Sequence, residues 1–433
     1  MLYKFKQSLR KIIPYNFILF THKIRAILAV TVYGFLGRKI KAIGVAGTKG
    51  KTTTTNMIVK ILEEGGYKVA MLSTANFQIG EKKWLNDVKL TTTSPFYFQK
   101  FLRKAVKEKC DFVVVEISSH GLVQHRHLGV SYQTVVLTNM MSDHLDYHKT
   151  YANYKNSHQA LLTNKLENLI INYDDEDLRS FFEFEKVRKY AFSLKGYKEI
   201  NDVKLIRAAE MVLKEKETEF KIKTDKGQMA VKLSLIGEFN IYNSLAATAV
   251  GLAENIKPIA IKKALESIEN IPGRLEKIDE GQNFEVIVDY AHSPDSLKKV
   301  YEVVKPHIKN KMIAVLGGTG DRDKTYRAKM GALAEEYAGI VIITNEDPYS
   351  ENPEDIMDQV MSGIKNKELN KDLFRISGRK EAIKKAIIIA KSGDLIMITG
   401  KGAEQFMICG EKKIPWDDRK IAKEALKNRI KSE

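Results

Sequence analysis

The stretch Lys39–Asn56, KIKAIGVAGTKGKTTTTN, constrains the fold more than any other part of the chain. Ile40, Ala42, Ile43 and Val45 form a short apolar run suited to a buried strand. Gly47, Thr48, Lys49, Gly50, Lys51, Thr52 and Thr53 follow, and then apolar residues at helical spacing through Met57, Ile58, Ile61 and Leu62. A strand, a glycine-bearing turn and a helix form the layout that cradles a polyphosphate. Backbone N–H groups converge on the anion, Lys51 adds a point charge, and the Thr52 hydroxyl can reach Mg²⁺. The strict spacing G-x-x-x-x-G-K-[ST] is missed at Val45, where its first glycine would stand, so a Gly/Lys-rich surface turn is the competing reading. The flanking strand and helix favour a nucleoside triphosphate.

A chain of 433 residues has room for two or three domains, each with its own core. Its formal charge of +17 favours acidic partners. Nucleic acid has little support among them, because no basic stripe with interleaved aromatics occurs beyond the N-terminus. Cys110 and Cys409 lie far apart without metal spacing, so both are expected to be core thiols in a reducing cytoplasm. Tyr15–Gly37 is apolar but carries His22, Lys23 and Arg25, which makes it a poor transmembrane span. No small-residue cleavage site follows a clean apolar core, which argues against a signal peptide. Lys4, Lys6, Arg10, Lys11, Lys23 and Arg25, interleaved with Phe, Leu and Tyr, fit basic amphipathic helices in peripheral contact with a membrane. A helix pair packed on the first domain is the favoured alternative.

Beyond the loop, apolar strands alternate with helical patterns. Lys68–Leu72, Phe112–Glu116, Thr134–Leu137 and Leu169–Ile171 read as strands, and Phe96–Lys107 reads as a helix. An antiparallel patch over Phe220–Leu235 and a helix over Ile241–Ala253 precede Ile271-Pro272-Gly273-Arg274. A second series has strands at Val286–Val288, Met312–Leu316, Ile340–Ile343 and Leu395–Ile398. The expected class is α/β. A central P-loop NTPase-like doubly wound sheet domain (39–272) precedes a Rossmann-like α/β domain (273–433), and a short helical segment (1–38) comes first.

Candidate chemistry sits at the carboxyl ends of these strands. Glu116 ends four apolar residues and is placed to hold Mg²⁺, or to belong to a helix-capping cluster with Ser118 and Ser119. Thr138-Asn139 leads into Asp143, His144, Asp146 and His148, where His144 could bind metal or phosphate; a zinc site through His144 and His148 lacks further ligands. Asp289–Asp295, Gly317–Lys324 and Gly400–Glu404 follow strands of the second series, and Arg322 with Lys324 suits an anion.

Together and in order, EISSHGLVQHR (Glu116–Arg126), TNMMSDHLDYH (Thr138–His148), GEFNIYNSLAA (Gly237–Ala247), IPGRLE (Ile271–Glu276), DYAHSPDSL (Asp289–Leu297), GGTGDRDKTYR (Gly317–Arg327), GKGAE (Gly400–Glu404) and WDDRKIAKEAL (Trp416–Leu426) resemble the Mur ligases. The likeness is to the branch that adds the third peptide residue to the peptidoglycan precursor, and it covers residues 39–428. It implies an ATP- and Mg²⁺-dependent amide ligase, monomeric, taking a muramoyl-peptide and a free amino acid through an acyl phosphate.

By the same resemblance, Gly47–Thr53 and Asn139 hold phosphates, Asn240 and Asn243 the adenine region, and Asp289 the ribose. Arg274, Arg322 and Lys324 reach the phosphates. Lys51, Glu116, His144 and His158 are catalytic, and Thr52, Glu116, His144 and His158 serve metal. Thr91, Thr92, Ser118, Gln124 and Arg126 hold the muramoyl-peptide, while Glu346, Asp347, Gly400 and Glu404 meet the amino acid.

Three departures stand out. The family's carbamylated lysine falls at His158, fourteen residues beyond His144, and Lys155 stands three residues too early to replace it directly. The D-N-P-R selector reads Glu346-Asp347-Pro348-Tyr349, without the arginine for a distal carboxylate but with acids for a distal ammonium. Only 38 residues precede Lys39, where the family carries a UDP-gripping domain of roughly a hundred residues. The expectation is a diamino-acid ligase. A murein-recycling, folylpolyglutamate- or cyanophycin-type ligase, or a nucleotide-binding protein that has lost catalysis, are the rivals.

Overall fold

The computed structural model describes residues 14–197 and 199–432. The expectation for Lys4, Lys6, Arg10 and Lys11 therefore lies outside the described residues. The chain forms two compact units, Met1–Trp84 with Leu90–Glu269, and Leu85–Lys89 with Asn270–Glu433.

The first unit is built on β1 (Lys41–Ala46), β2 (Val69–Leu72), β3 (Asn76–Ile79), β4 (Lys82–Leu85), β5 (Phe112–Glu116), β6 (Tyr132–Leu137), β7 (Asn168–Asn172), β8 (Arg188–Ser193), β9 (Val203–Leu213), β10 (Thr218–Thr224) and β11 (Gly227–Leu233). They form one sheet in the order β11-β10-β9-β8-β7-β6-β1-β5-β2-β3-β4. The centre is parallel: β1 lies between β5 and β6, with Val45 opposite Glu116 and Ala46 opposite Leu137. Every residue of β5 is buried, as a strand covered on both faces requires. The reversal of strand order around β1 sets the carboxyl-end crevice where an α/β sheet binds ligands.

Four helices matter here: α1 (Tyr15–Tyr33), α2 (Lys51–Glu64), α3 (Pro95–Lys107) and α4 (Glu238–Ala253). α2 buries Thr52–Thr55 with Met57, Ile58, Ile61 and Leu62, and packs on α4. The helices approach closely because Gly251 has no side chain; a Cβ there would come within 2.8 Å of Ile61 Cγ2. α1 packs on α3 and buries Ala26, Ala29 and Val30. α1 is one packed helix of the pair expected in the second reading; the remainder of that segment lies outside the described residues.

The hairpin of β3 and β4 escapes sequence patterning, since four-residue strands are too short to show a period. The antiparallel patch is larger than expected, because β9 adds eleven residues to one edge of β10.

The second unit carries β12 (Glu276–Lys277), β13 (Glu285–Asp289), β14 (Met312–Leu316), β15 (Ile340–Thr344), β16 (Leu373–Ile376) and β17 (Leu395–Thr399), ordered β12-β13-β17-β14-β15-β16. Its two faces bury separate cores, one around Leu297, Tyr301 and Met357, the other around Ile383, Ile387 and Leu426. A hairpin of β18 (Phe406–Cys409) and β19 (Lys412–Pro415) follows. Cys110 is buried as expected, but Cys409 is only half-buried on that hairpin; both thiols are free.

Candidate active site

In the first unit the turn after β1 is fastened to the end of β6. Thr48 N–H donates to the Asn139 carbonyl (2.9 Å), and Lys49 N–H donates to Asn139 Oδ1 (2.8 Å). Thr138 Oγ1 and Asn139 Nδ2 both donate to the Lys49 carbonyl, at 2.7 and 3.0 Å. Thr48 Oγ1 shares a 2.7 Å hydrogen bond with the Tyr154 hydroxyl. Gly47 and Gly50 have φ of 124° and 84°, and a Cβ at either would come within 2.4 Å of Thr138 Oγ1 or Asn243 Oδ1. Those positions admit only glycine, and the loop they shape presents backbone N–H groups at the start of α2.

Lys51 Nζ donates to the carbonyls of Gly47 and Thr48, at 2.9 and 2.8 Å, and Lys49 pairs with Asp143 at 3.1 Å. Thr53 is buried beside them. Asn243 accepts from Thr54 Oγ1 (3.1 Å) and donates to Asn240 Oδ1 (3.1 Å), so both asparagines of α4 back the loop.

Glu116 is buried at the tip of β5 and gathers hydroxyls. Thr52 Oγ1 donates to its Oε2 at 2.9 Å, Thr74 N–H donates to Oε2 at 2.7 Å, and Thr74 Oγ1 donates to Oε1 at 2.8 Å. A hydroxyl and a carboxylate beside an anion loop are hard oxygen donors that fit Mg²⁺.

His144, His148 and His158 make other contacts. Among the described residues no three His, Cys, Asp or Glu side chains group as a metal site. The His144 ring lies 4.8 Å from that of His120, and His148 Nε2 hydrogen-bonds Ser119 Oγ at 2.9 Å. His158 is wholly buried with Nδ1 3.0 Å from the Tyr154 carbonyl. That oxygen can only accept, so Nδ1 carries the proton and Nε2, which has no partner, presents a bare lone pair. Burial pushes the His158 pKa down to about 4, with Lys51 and His148 adding to the fall. Lys155 instead reaches Asp177 at 3.4 Å.

The five residues expected at the muramoyl-peptide do converge. Thr91 Oγ1 donates to Thr74 Oγ1 (2.9 Å), whose own proton goes to Glu116, and Thr92 Oγ1 accepts from Ser118 N–H (2.9 Å). Arg126 donates to the Thr92 carbonyl (2.8 Å) and, through Nε and Nη2, to Gln124 Oε1 (3.0 and 2.6 Å). Sequence reasoning missed Thr74 and Tyr154. Thr74 lies two residues beyond β2 at the same carboxyl edge, a signal that was present; Tyr154 gave none.

The second unit concentrates buried charge. Lys401, wholly buried, donates to Asp347 Oδ2 (2.9 Å) and Glu404 Oε2 (2.6 Å). Lys89, in the segment Leu85–Lys89, also pairs with Asp347, lies 3.0 Å from Glu404, and has its ammonium 5.7 Å from the Tyr349 ring centre. Burial alone would raise the Asp347 pKa, but Lys401 and Lys89 reverse the effect and hold it below the usual carboxylate range. Glu346 is buried and its pKa is raised by that burial; Thr319 donates to Oε1 at 2.9 Å, while Oε2 has no partner. Gly400, at φ 109°, leaves the space that Oε2 needs, since a Cβ would fall 2.2 Å from it.

Behind Glu346, Arg379 binds Asp418 through two hydrogen bonds of 2.9 and 2.6 Å with both side chains fully buried. Asp289 accepts from the N–H groups of Leu275 and Ala291, both at 2.7 Å, and the Arg274 guanidinium lies 4.5 Å from the centre of the Tyr290 ring. Arg322 and Lys324 are exposed, the latter 3.4 Å from Glu351, which Arg327 grips through two bonds. Lys89 and Arg379 had no sequence signal that separated them from ordinary surface cations, and Arg327 showed only as the last residue of the Gly317–Arg327 motif.

Comparison with known proteins places this geometry. A family model described as the Mur ligase middle domain matches residues 45–251, and one described as the Mur ligase, glutamate ligase domain matches residues 273–402. The chain is 35% identical over 415 residues to the UDP-N-acetylmuramoyl-L-alanyl-D-glutamate--2,6-diaminopimelate ligase of Syntrophomonas wolfei subsp. wolfei, covering 95% of this chain and 83% of that protein. It is 37% identical over 421 residues to the ligase of the same name from Bacillus cereus, with the same coverage. A solved structure of a ligase of that name aligns at a TM-score of 0.62 and 28% identity over 90% of this chain and 79% of the other. FolC of E. coli aligns at 0.71 over 94% of each chain with 18% identity, a likeness of fold alone.

Proposed function

The chain belongs to the Mur ligase family, and from that premise we propose that it uses ATP to join a diamino acid to the carboxylate of a muramoyl-dipeptide. The observation that carries this reading is the loop of Gly47–Thr52 with Glu116 at its mouth, a set of N–H donors, hydroxyl and carboxylate suited to a nucleotide phosphate and its metal. The acceptor carboxylate attacks the γ-phosphorus, the bond to the β-phosphate oxygen breaks, and an acyl phosphate and ADP form. The incoming amine attacks the acyl carbon, a tetrahedral intermediate collapses, and phosphate leaves.

Lys51 exchanges its hold on the Gly47 and Thr48 carbonyls for the transferring phosphoryl oxygens, whose charge it neutralises. Thr52 and Glu116 would hold Mg²⁺, which would offset further phosphate charge. Thr91, Thr92, Ser118, Gln124 and Arg126 orient the acceptor, with Arg126 supplying a planar cation suited to a carboxylate. ATP and two free thiols suit a cytoplasmic setting.

The amino acid's class is read from Asp347 and Glu404, which with the Tyr349 ring surround the ammonium of Lys89. A side-chain ammonium of the substrate suits the same acids. The test offers each amino acid in turn to the protein with ATP, Mg²⁺ and UDP-muramoyl-dipeptide and measures phosphate release. Release confined to diamino acids is expected; silence with every amino acid overturns the proposal.

A further inference from the structure

Among the described residues, α1 leaves an apolar face exposed. Phe17, Phe20, Leu28 and Val32 are 56%, 57%, 52% and 69% exposed, and Ile24, Ile27 and, just past the helix, Phe35 are exposed with them. At about 100° per residue these helical positions fall within an arc of roughly 140°, on the side opposite the buried Ala26, Ala29 and Val30. Lys23 and Arg25 project from the two borders of that arc. Both are exposed, and Arg25 lies close enough to Arg126 to act on it electrostatically, so two guanidinium charges share this side of the unit.

Sequence extends the same sign. Twelve Lys and Arg residues precede the first acidic residue, Glu63, and the stretch Met1–Ile13 combines Lys4, Lys6, Arg10 and Lys11 with Leu2, Phe5, Leu9, Ile12 and Ile13. A second copy of the chain docked face to face would set these cations against each other. No helix among the described residues is long and apolar enough to cross a membrane.

We propose that the exposed face of α1 docks on an anionic membrane surface, with the helix lying in the interfacial plane. The aromatic and aliphatic stripe enters the boundary between headgroups and acyl chains, and Lys23 and Arg25 reach lipid phosphates from its two edges. α3, on which α1 packs, fixes the orientation of the first unit against the surface. Charge complementarity favours this occupant over a second copy of the chain.

The full chain is sedimented with phosphatidylcholine vesicles, with and without phosphatidylglycerol, at low and high salt. Binding to the phosphatidylglycerol vesicles is expected, weakening as salt rises. The triple variant Phe17→Ser/Phe20→Ser/Ile24→Ser is expected to bind roughly a hundredfold more weakly, and Lys23→Glu/Arg25→Glu at least about tenfold more weakly. Both variants should keep the thermal melt of the parent, since all five side chains face solvent. Absence of binding to anionic vesicles overturns the proposal, as does undiminished binding by the triple variant. A parent that sediments as a dimer dissociated by the serine substitutions also overturns it, by giving the face to a second copy.

Discussion

The turn after β1 and the acid cluster after β15 are both built at carboxyl ends of parallel strands, yet they handle charge in opposite ways. At the first, the fixed groups are backbone N–H groups, hydroxyls and asparagine amides with the buried carboxylate of Glu116, and the lysines stand at the rim. At the second, Asp347 and Glu346 are buried with Lys401, Glu404 is half-buried beside them, and the Arg379–Asp418 pair lies behind. A phosphate brings its own negative charge, so its site needs oriented dipoles and cations at the rim in place of a buried ion pair. An ammonium needs a resident negative charge, and a buried negative charge must be balanced by cations of the fold itself. The ligand's sign is thus written into how much of each site's charge the protein keeps out of water.

The contrast has consequences of different size. Asp418→Ala leaves the Arg379 guanidinium buried without its carboxylate, and about 3–5 kcal/mol of stability should be lost in urea unfolding. Trp416, whose Nε1 donates to Asp418 Oδ1 at 2.8 Å, gives a fluorescence signal local to the change. An unshifted midpoint would remove the claim that the second site rests on internal charge balance. Lys51→Ala should slow phosphate release by about 10²–10³-fold. Its melting temperature should stay within a degree or two of the parent, since the residue stands at a helix start with a half-exposed side chain. Comparable losses of stability from both variants would erase the contrast.

His158 tests the first site through pH. Its folded pKa of about 4 lies below the ordinary 6.5, so on acidification the unfolded chain takes up the proton first. The contribution to stability is full above about 6.5 and is lost as pH falls towards 4, by up to ~3 kcal/mol. His158→Asn removes this titration, so its stability should vary less with pH across that window than the parent's. A parallel profile would assign the loss to other groups, His127 first, whose pKa burial also lowers to about 4. The smallest effect is expected from Lys89→Ala. Removing that ammonium leaves Asp347 and Glu404 to the substrate, and KM for a diamino acid should fall a few-fold, about 1 kcal/mol. A rise in KM would make Lys89 a positioning residue and move the amino-acid site elsewhere.

What the sequence made legible follows from locality. β1, β5, β14 and β17 are unbroken apolar runs, and each ends in a polar or glycine-rich group whose placement follows from strand direction alone. The loop needed only its own glycines and lysines to be recognised. Thr91, Thr92, Ser118, Gln124 and Arg126 became visible as a set through family resemblance, because no spacing rule joins Thr92 to an arginine 34 positions on. Lys89 and Asp347 are 258 positions apart, and only the folded chain unites them. The metal role expected of His144 and His158 rests on resemblance and not on locality: the His144 ring packs on that of His120, and His158 is tied back to its own helical turn.

The fastening of the β1 turn to β6 also has a kinetic meaning. The N–H groups of Thr48 and Lys49 end on one residue, Asn139, two residues beyond β6, a strand in the middle of the sheet. Before these amides exchange with solvent deuterium, the turn must detach from the end of β6. Their exchange should therefore be slower than that of an unfastened turn, in a segment that its glycines would otherwise mark as mobile.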